Sequence, residues 1–245
     1  MQRGDDVCAE ACFRKAIEVV PDFPEAYANL GLLLERRHDK EGAENCYRRS
    51  LQLNPAYPET YLNLGALLAS DKHFDQAEAA YRQAIALSPA SPAGWSNLGV
   101  LYACMKREID AEECYRIAMS LDETYAAARF NFSYLLLRQG RFEEGWQCLE
   151  ARNWYAALAA HLACPRWQGE VLVGKSILIG CEAGHGDMIQ FCRYVAVLKA
   201  QGAASITMIC HPALVKLFAD LAGLDNIISL DEQIPSSGWD YWMPS

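Results

Sequence analysis

The hydrophobic pattern of this chain repeats. Pro24-Glu-Ala-Tyr27-Ala-Asn29-Leu30-Gly31 returns as Pro58-Glu-Thr-Tyr61-Leu-Asn63-Leu64-Gly65. It returns again as Pro92-Ala-Gly-Trp95-Ser-Asn97-Leu98-Gly99, each time 34 residues further on. A fourth, weaker copy has Arg129, Asn131, Phe132 and Ser133 in the corresponding places. The second half of each unit repeats as well. Ala43, Ala77 and Ala111 align, as do Tyr47, Tyr81 and Tyr115, and Pro55 and Pro89 close the first two units. Tyr27, Leu30 and Leu34 fall at helical spacing, which predicts an amphipathic first helix in every unit. The prolines stop one helix and start the next. Gly31, Gly65 and Gly99, with the repeated alanines, let neighbouring helices approach closely. A single unit cannot bury its own apolar stripe, so the units must stack.

The order of an aromatic, Leu-Gly, a small Ala, a second aromatic and a closing Pro resembles the tetratricopeptide repeat. The resemblance covers residues 1–159. It implies two antiparallel helices per unit, stacked into a right-handed α-helical superhelix. The units are a half repeat at 1–23 and full repeats at 24–57, 58–91, 92–125 and 126–159. In the half repeat, Ala9, Phe13, Ala16 and Pro21 fit a second helix whose first helix is missing. Its apolar face therefore needs further repeats upstream or another cover, for which Asp5 and Asp6 at the helix start are only a partial substitute.

After Trp154 the pattern changes. Pro165-Arg-Trp-Gln-Gly-Glu170 reads as part of a linker over 160–175. Short apolar runs then alternate with helical stretches. Ser176–Cys181, Ser205–Cys210, Asn226–Leu230 and Asp240–Met243 are candidate strands. Met188–Gln201 and a segment from Pro212 to about Ala222 are candidate helices. Such alternation predicts a parallel α/β sheet over 176–245, a partial Rossmann-like module. The turn Glu182-Ala-Gly184-His185-Gly186-Asp187 then sits at the carboxyl end of the first strand, where parallel sheets bind ligands. It lacks the third glycine of a dinucleotide-binding loop, since Ile189 stands there.

Trp167-Gln-Gly-Glu170, Gly174-Lys175 and Gly184-x-Gly186-Asp187-x-Ile189-Gln190-Phe191-x-Arg193-Tyr194 are similar to the start of a glycosyltransferase-like domain of the heptosyltransferase family. That domain follows tetratricopeptide repeats in many bacterial proteins and has the two-Rossmann-domain (GT-B) architecture. The resemblance implies an acceptor- or phosphate-binding turn at Gly184, His185 and Gly186, with Asp187 as catalytic base. The competing reading makes Asp187 the cap of a helix beginning at Met188. His185 departs from the apolar residue expected at its place. A second Rossmann half, which holds most nucleotide-sugar contacts, is absent, so this chain alone is expected to be inactive and is expected to be a fragment.

Composition narrows the partners. Of 245 residues, 52% are hydrophobic and 22% charged, which excludes a disordered chain. The net charge of -9 argues against nucleic acid held through phosphates. No apolar run reaches the ~20 residues of a membrane span, and no signal peptide is visible, so a cytoplasmic location is expected. The ten cysteines show no metal-ligand spacing and no cofactor is implied. Cys12, Cys46, Cys114 and Cys148 instead share one repeat position, where the remaining unit has Ala80. That assigns them to helix packing.

Two functions stay open. One is a scaffold that holds a protein or peptide in the concave groove. Asn29, Asn63, Asn97 and Asn131 occupy one position in four units and form a ladder of amides, each offering a donor and an acceptor. Tetratricopeptide-containing protein O-glycosyltransferases hold substrates on such a ladder, although Asn before Leu-Gly also recurs in the family irrespective of function. The other function is the acceptor-side part of a sugar-nucleotide-dependent glycosyltransferase, with nucleotide sugar bound only in a longer chain. A purely structural assembly scaffold is the remaining alternative.

Overall fold

The computed structural model describes residues 2–151, 156–181 and 184–244. Trp154, Glu182 and Ala183, on which expectations also fall, lie outside them, as do the side chains of Asp5 and Asp6. The chain divides into two compact units, Met1–Arg152 and Asn153–Ser245.

The first unit holds nine helices among the described residues. They are α1 (Gln2–Val19), α2 (Pro24–Arg36), α3 (Lys40–Leu53), α4 (Pro58–Ser70), α5 (Phe74–Leu87), α6 (Pro92–Cys104), α7 (Glu108–Leu121), α8 (Ala126–Arg138) and α9 (Phe142–Leu149). Pro24, Pro58 and Pro92 occupy the first turn, where a missing N–H loses nothing. Inside each pair the backbone turns through one left-handed residue. These are His38, Lys72, Lys106 and Gly140, again 34 apart, with φ of 65°, 63°, 60° and 77°. The next amide then bonds five residues back, as His73 does to Leu68 and Arg107 to Tyr102, at 2.9 Å in both cases. With the companion bonds of Lys72 to Ala69 at 3.0 Å and Lys106 to Ala103 at 3.2 Å, this satisfies the last carbonyls of the helix.

The pairs meet through the repeated glycines. A Cβ on Gly31 or Gly65 would lie 2.6 Å from the ring of Tyr47 or Tyr81, and one on Gly99 would lie 2.8 Å from that of Tyr115. Those rings are buried, and burial pushes the Tyr81 hydroxyl up to about 12. The fourth pair has other residues at the same two positions. Ser133 replaces the glycine and Leu149 replaces the tyrosine, both buried. A larger residue on one helix is matched by a smaller one on the other. On the second helices, Glu10–Arg14, Glu44–Arg48, Glu78–Arg82 and Glu112–Arg116 form ion pairs at 2.7–2.9 Å. Arg107–Glu78 at 3.2 Å and Arg141–Glu112 at 2.7 Å tie neighbouring units. Each such surface pair contributes little, up to about 1 kcal/mol.

The cysteine ladder follows the stacking. Cys12 on the end helix is exposed, Cys46 is half-buried, and Cys114 and Cys148 are buried. Burial pushes the Cys114 thiol up to about 12, so it stays protonated and inert at neutral pH. Cys12, Cys46, Cys114 and Cys148 are free thiols, and no cluster of three or more potential metal ligands occurs among the described residues.

The second unit is a four-stranded parallel sheet. Its strands β1 (Ser176–Gly180), β2 (Ser205–Cys210), β3 (Asn226–Ser229) and β4 (Tyr241–Pro244) run in the order β3-β2-β1-β4. Ile177 and Ile179 face one layer and Leu178 the other, as the pleat requires. The first layer contains α11 (His185–Phe191), α12 (Tyr194–Ala200), a 3-10 turn at Pro212–Leu214 and α13 (Val215–Phe218). The opposite layer contains α10 (Ala156–His161), whose Leu158 packs with Leu178, Ile209 and Trp242.

Several sequence expectations change here. Residues 156–159, counted with the fourth repeat, belong to this second unit, and the division falls before them. Their alanine-rich helical pattern extends the repeat in sequence, but their apolar contacts are with the sheet. The segment 165–167, expected as linker, pairs with β4: Trp167 N donates to Trp242 O at 2.7 Å, and Trp242 N to Pro165 O at 3.1 Å. The edge of β4 is therefore partly covered. The single helix expected over Met188–Gln201 breaks at Cys192 and Arg193 into α11 and α12.

Candidate functional site

The ladder is a property of the first helices. Successive members α2, α4, α6 and α8 pack against one another, while no packing of similar extent joins successive second helices. The first helices thus stand closer together, which places their outer face on the concave side of the array.

Asn29, Asn63, Asn97 and Asn131 each occupy the sixth position of their helix. Asn29 is exposed and the other three are half-buried. Among the described residues none of the four amides forms a hydrogen bond within the chain. Their donors and acceptors are left to solvent or a ligand. Buried flanking residues hold each helix in place: Ala28 and Leu30 around Asn29, Ser96 and Leu98 around Asn97, with Phe132 and Ser133 following Asn131.

A second ladder runs beside the first, and sequence reasoning missed it. One helical turn beyond each asparagine stand Leu32, Ala66, Val100 and Tyr134, all exposed. The large ones show 39%, 37% and 56% of their surface. The Tyr134 ring meets Phe130 edge-on at 5.1 Å. Residues three apart share a helix face, so every first helix presents an amide and an apolar group side by side. The residue types differ from unit to unit. The signal was the period itself, applied to a position without a fixed identity.

The turn after β1 is placed otherwise. Gly184 is the N-cap of α11, and His185, Gly186 and Asp187 form its first turn. All four are exposed. Asp187 is therefore not the N-cap that the alternative reading made it. Its carboxylate lies in the first turn, where it complements the positive end of the helix. His185 stacks on His211, which directly follows β2, with ring centroids 4.3 Å apart and planes 19° apart. The asparagine ladder and this turn belong to different units.

The sequence profile of the middle TPR-like domain of cilia- and flagella-associated protein 70 matches residues 19–112. No curated protein matches the chain. Among solved structures it resembles MamA, at 21% identity over 61% of this chain and 88% of that one, with a TM-score of 0.53. It also resembles PilF of Pseudomonas aeruginosa, at 23% identity over 61% and 68%, with a TM-score of 0.56. MamA of Desulfovibrio magneticus RS-1 is similar at 19% identity over 61% and 84%, with a TM-score of 0.53. The helical array has the tetratricopeptide-repeat fold. None of these likenesses supports the glycosyltransferase-like expectation for residues 165–245. The profile match ends at residue 112, within the helices. The sheet is a partial parallel α/β layer, and no helix among the described residues is long and apolar enough to cross a membrane.

Proposed function

We propose that the helical array is a protein-interaction scaffold that holds an extended peptide along its concave face. The observation that carries this reading is the set of four amides at Asn29, Asn63, Asn97 and Asn131, equivalent in position and without partners inside the chain. An amide gives one donor and one acceptor to a peptide backbone, so the ladder grips main chain without dictating sequence. Each bond contributes about 0.5–1.5 kcal/mol. The exposed Leu32, Val100 and Tyr134 add apolar contact for side chains. Panning a random peptide library on the chain tests this. Selected peptides should bind the Asn63→Ala/Asn97→Ala variant roughly tenfold more weakly, with helicity by circular dichroism unchanged. Peptides that bind both forms equally would reject the ladder.

A second reading concerns the other unit. Gly184, His185, Gly186 and Asp187 lie beyond the carboxyl end of β1, the general location of ligands in parallel sheets. In this reading Asp187 is the base that takes a proton from an acceptor hydroxyl in sugar transfer. Its support is that placement together with the sequence resemblance. Asp187→Asn in a longer chain carrying a donor-binding half should abolish transfer and leave acceptor binding intact. Retained transfer would reject it.

A further inference from the structure

The sheet unit also has a cleft that neither reading uses. It is an open cleft of about 440 Å³ on the α10 side of the sheet. Its floor is Ile209 of β2, Cys181 immediately after β1 and Leu230 immediately after β3. The cleft thus opens at the carboxyl ends of three parallel strands, where α/β sheets gather ligands. One wall is α10, through Leu158 and His161. Leu158 comes this close because Gly180 has no side chain: a Cβ there would stand 2.5 Å from Leu158 Cδ2.

The polar groups around this apolar floor have one character. His161 Nε2 lies 2.7 Å from the carbonyl oxygen of Ile234. A carbonyl only accepts, so Nε2 carries the hydrogen and Nδ1 of the neutral ring is an acceptor. Glu232 brings a carboxylate, which also accepts, and Gln233 brings an amide. Among the described residues no Lys or Arg lines the cleft. A carboxylate or phosphate ligand would face Glu232 with no compensating cation, whereas an ammonium group finds both acceptors. The volume lies within the range of small-molecule sites, about 300–1,000 Å³.

We propose that this cleft binds a small organic cation: a primary amine on an apolar body of about one ring, the body on Ile209, Leu158 and Leu230 and the ammonium at Glu232 and His161. Three probes of similar size and different charge decide it: benzylamine, benzyl alcohol and benzoate, titrated into the full chain by calorimetry. Benzylamine should bind roughly tenfold more tightly than the alcohol, the scale of one charge-assisted hydrogen bond, and benzoate more weakly than either. Glu232→Gln should erase the preference of amine over alcohol. Leu230→Lys changes a side chain that is 40% exposed, so the fold tolerates it, and it should abolish amine binding. Absence of benzylamine binding, benzoate binding as tightly as the amine, or an amine preference that survives Glu232→Gln would each overturn the proposal.

Discussion

The two units solve close approach in opposite ways. In the helical array, Gly31, Gly65 and Gly99 each face the rigid ring of a buried tyrosine. In the sheet unit, Gly180 faces the tip of Leu158, a flexible side chain that is only half-buried. The array copies one contact along three units and needs the same small residue wherever the tyrosine is kept. The sheet meets its contact once and keeps room to adjust. A repeated fold therefore concentrates its constraints at a few positions, whereas a non-repeating one disperses them.

The sharpest way to break this contrast is at the array glycine. Gly65→Ala puts a methyl 2.6 Å from Tyr81, whose ring has no free space to enter. Overpacking of this kind costs about 1–3 kcal/mol, or a fall of several degrees in melting temperature. The chain itself suggests the rescue, since the fourth unit has Ser133 and Leu149 at these two positions, both buried. Gly65→Ala combined with Tyr81→Leu should therefore be more stable than the sum of the single changes by more than about 0.5 kcal/mol. Additive losses in thermal unfolding would show that the two positions are not coupled.

A smaller effect, of opposite sign, is expected between the helices. Lys106 holds φ at 60°, which strains any residue with a Cβ, while the fourth unit has Gly140 at the same place. Lys106→Gly should stabilise the array by about 1 kcal/mol, measured as slower hydrogen exchange in α6 and α7. Destabilisation would mean that the lysine side chain outweighs the backbone strain. Smaller again is the sheet counterpart of the first prediction. Gly180→Ala is crowded by Leu158 Cδ2, with the Met243 carbonyl oxygen at an ordinary 3.5 Å, so it should cost less than about 1 kcal/mol. A loss as large as that of Gly65→Ala would erase the difference drawn between the units.

The array was legible because its information is local and repeated. Tyr27, Leu30 and Gly31 announce a packed helix, and their recurrence announces stacking. What stayed hidden there was conformational: His38, Lys72 and Lys106 are not residues that advertise a left-handed turn. The apolar companions of the asparagines were also hidden, because Leu32, Ala66, Val100 and Tyr134 share a place and not a type. In the sheet unit the strands were legible as apolar runs between turns. The helix break at Cys192 was not, since Ile189 to Leu198 keeps a helical pattern across it. Ala156–His161 looked like repeat because helical periodicity does not say which neighbour a helix will cover. The cleft could not be read at all, because Leu158, Cys181, Ile209 and Leu230 meet only once the sheet is assembled.

The last difference between the units is electrostatic. The array's exposed ion pairs join helices already packed, but in the sheet a carboxylate bonds backbone directly. Asp240 accepts from the Ser176 amide and from the Ser176 hydroxyl at 2.9 Å each, and from Lys175 Nζ at 3.0 Å. The amide bond first, then the Lys175 and Ser176 side chains, hold its carboxyl at about 2. An unfolded aspartate titrates near 3.9. The folded value is the lower one, so the stabilisation is complete above about pH 4 and fades as pH falls towards 2. Asp240 thereby ties the residue before β4 to the start of β1, the two strands that are neighbours without being consecutive. Asp240→Asn should weaken β1–β4 pairing at neutral pH and flatten its acid dependence between about pH 4 and 2. Hydrogen exchange of the amides in β1 and β4 reads both effects, with α4 and α6 as internal reference. An acid limb that keeps its full depth in the variant would assign the loss to other carboxylates and leave Asp240 as a surface contact.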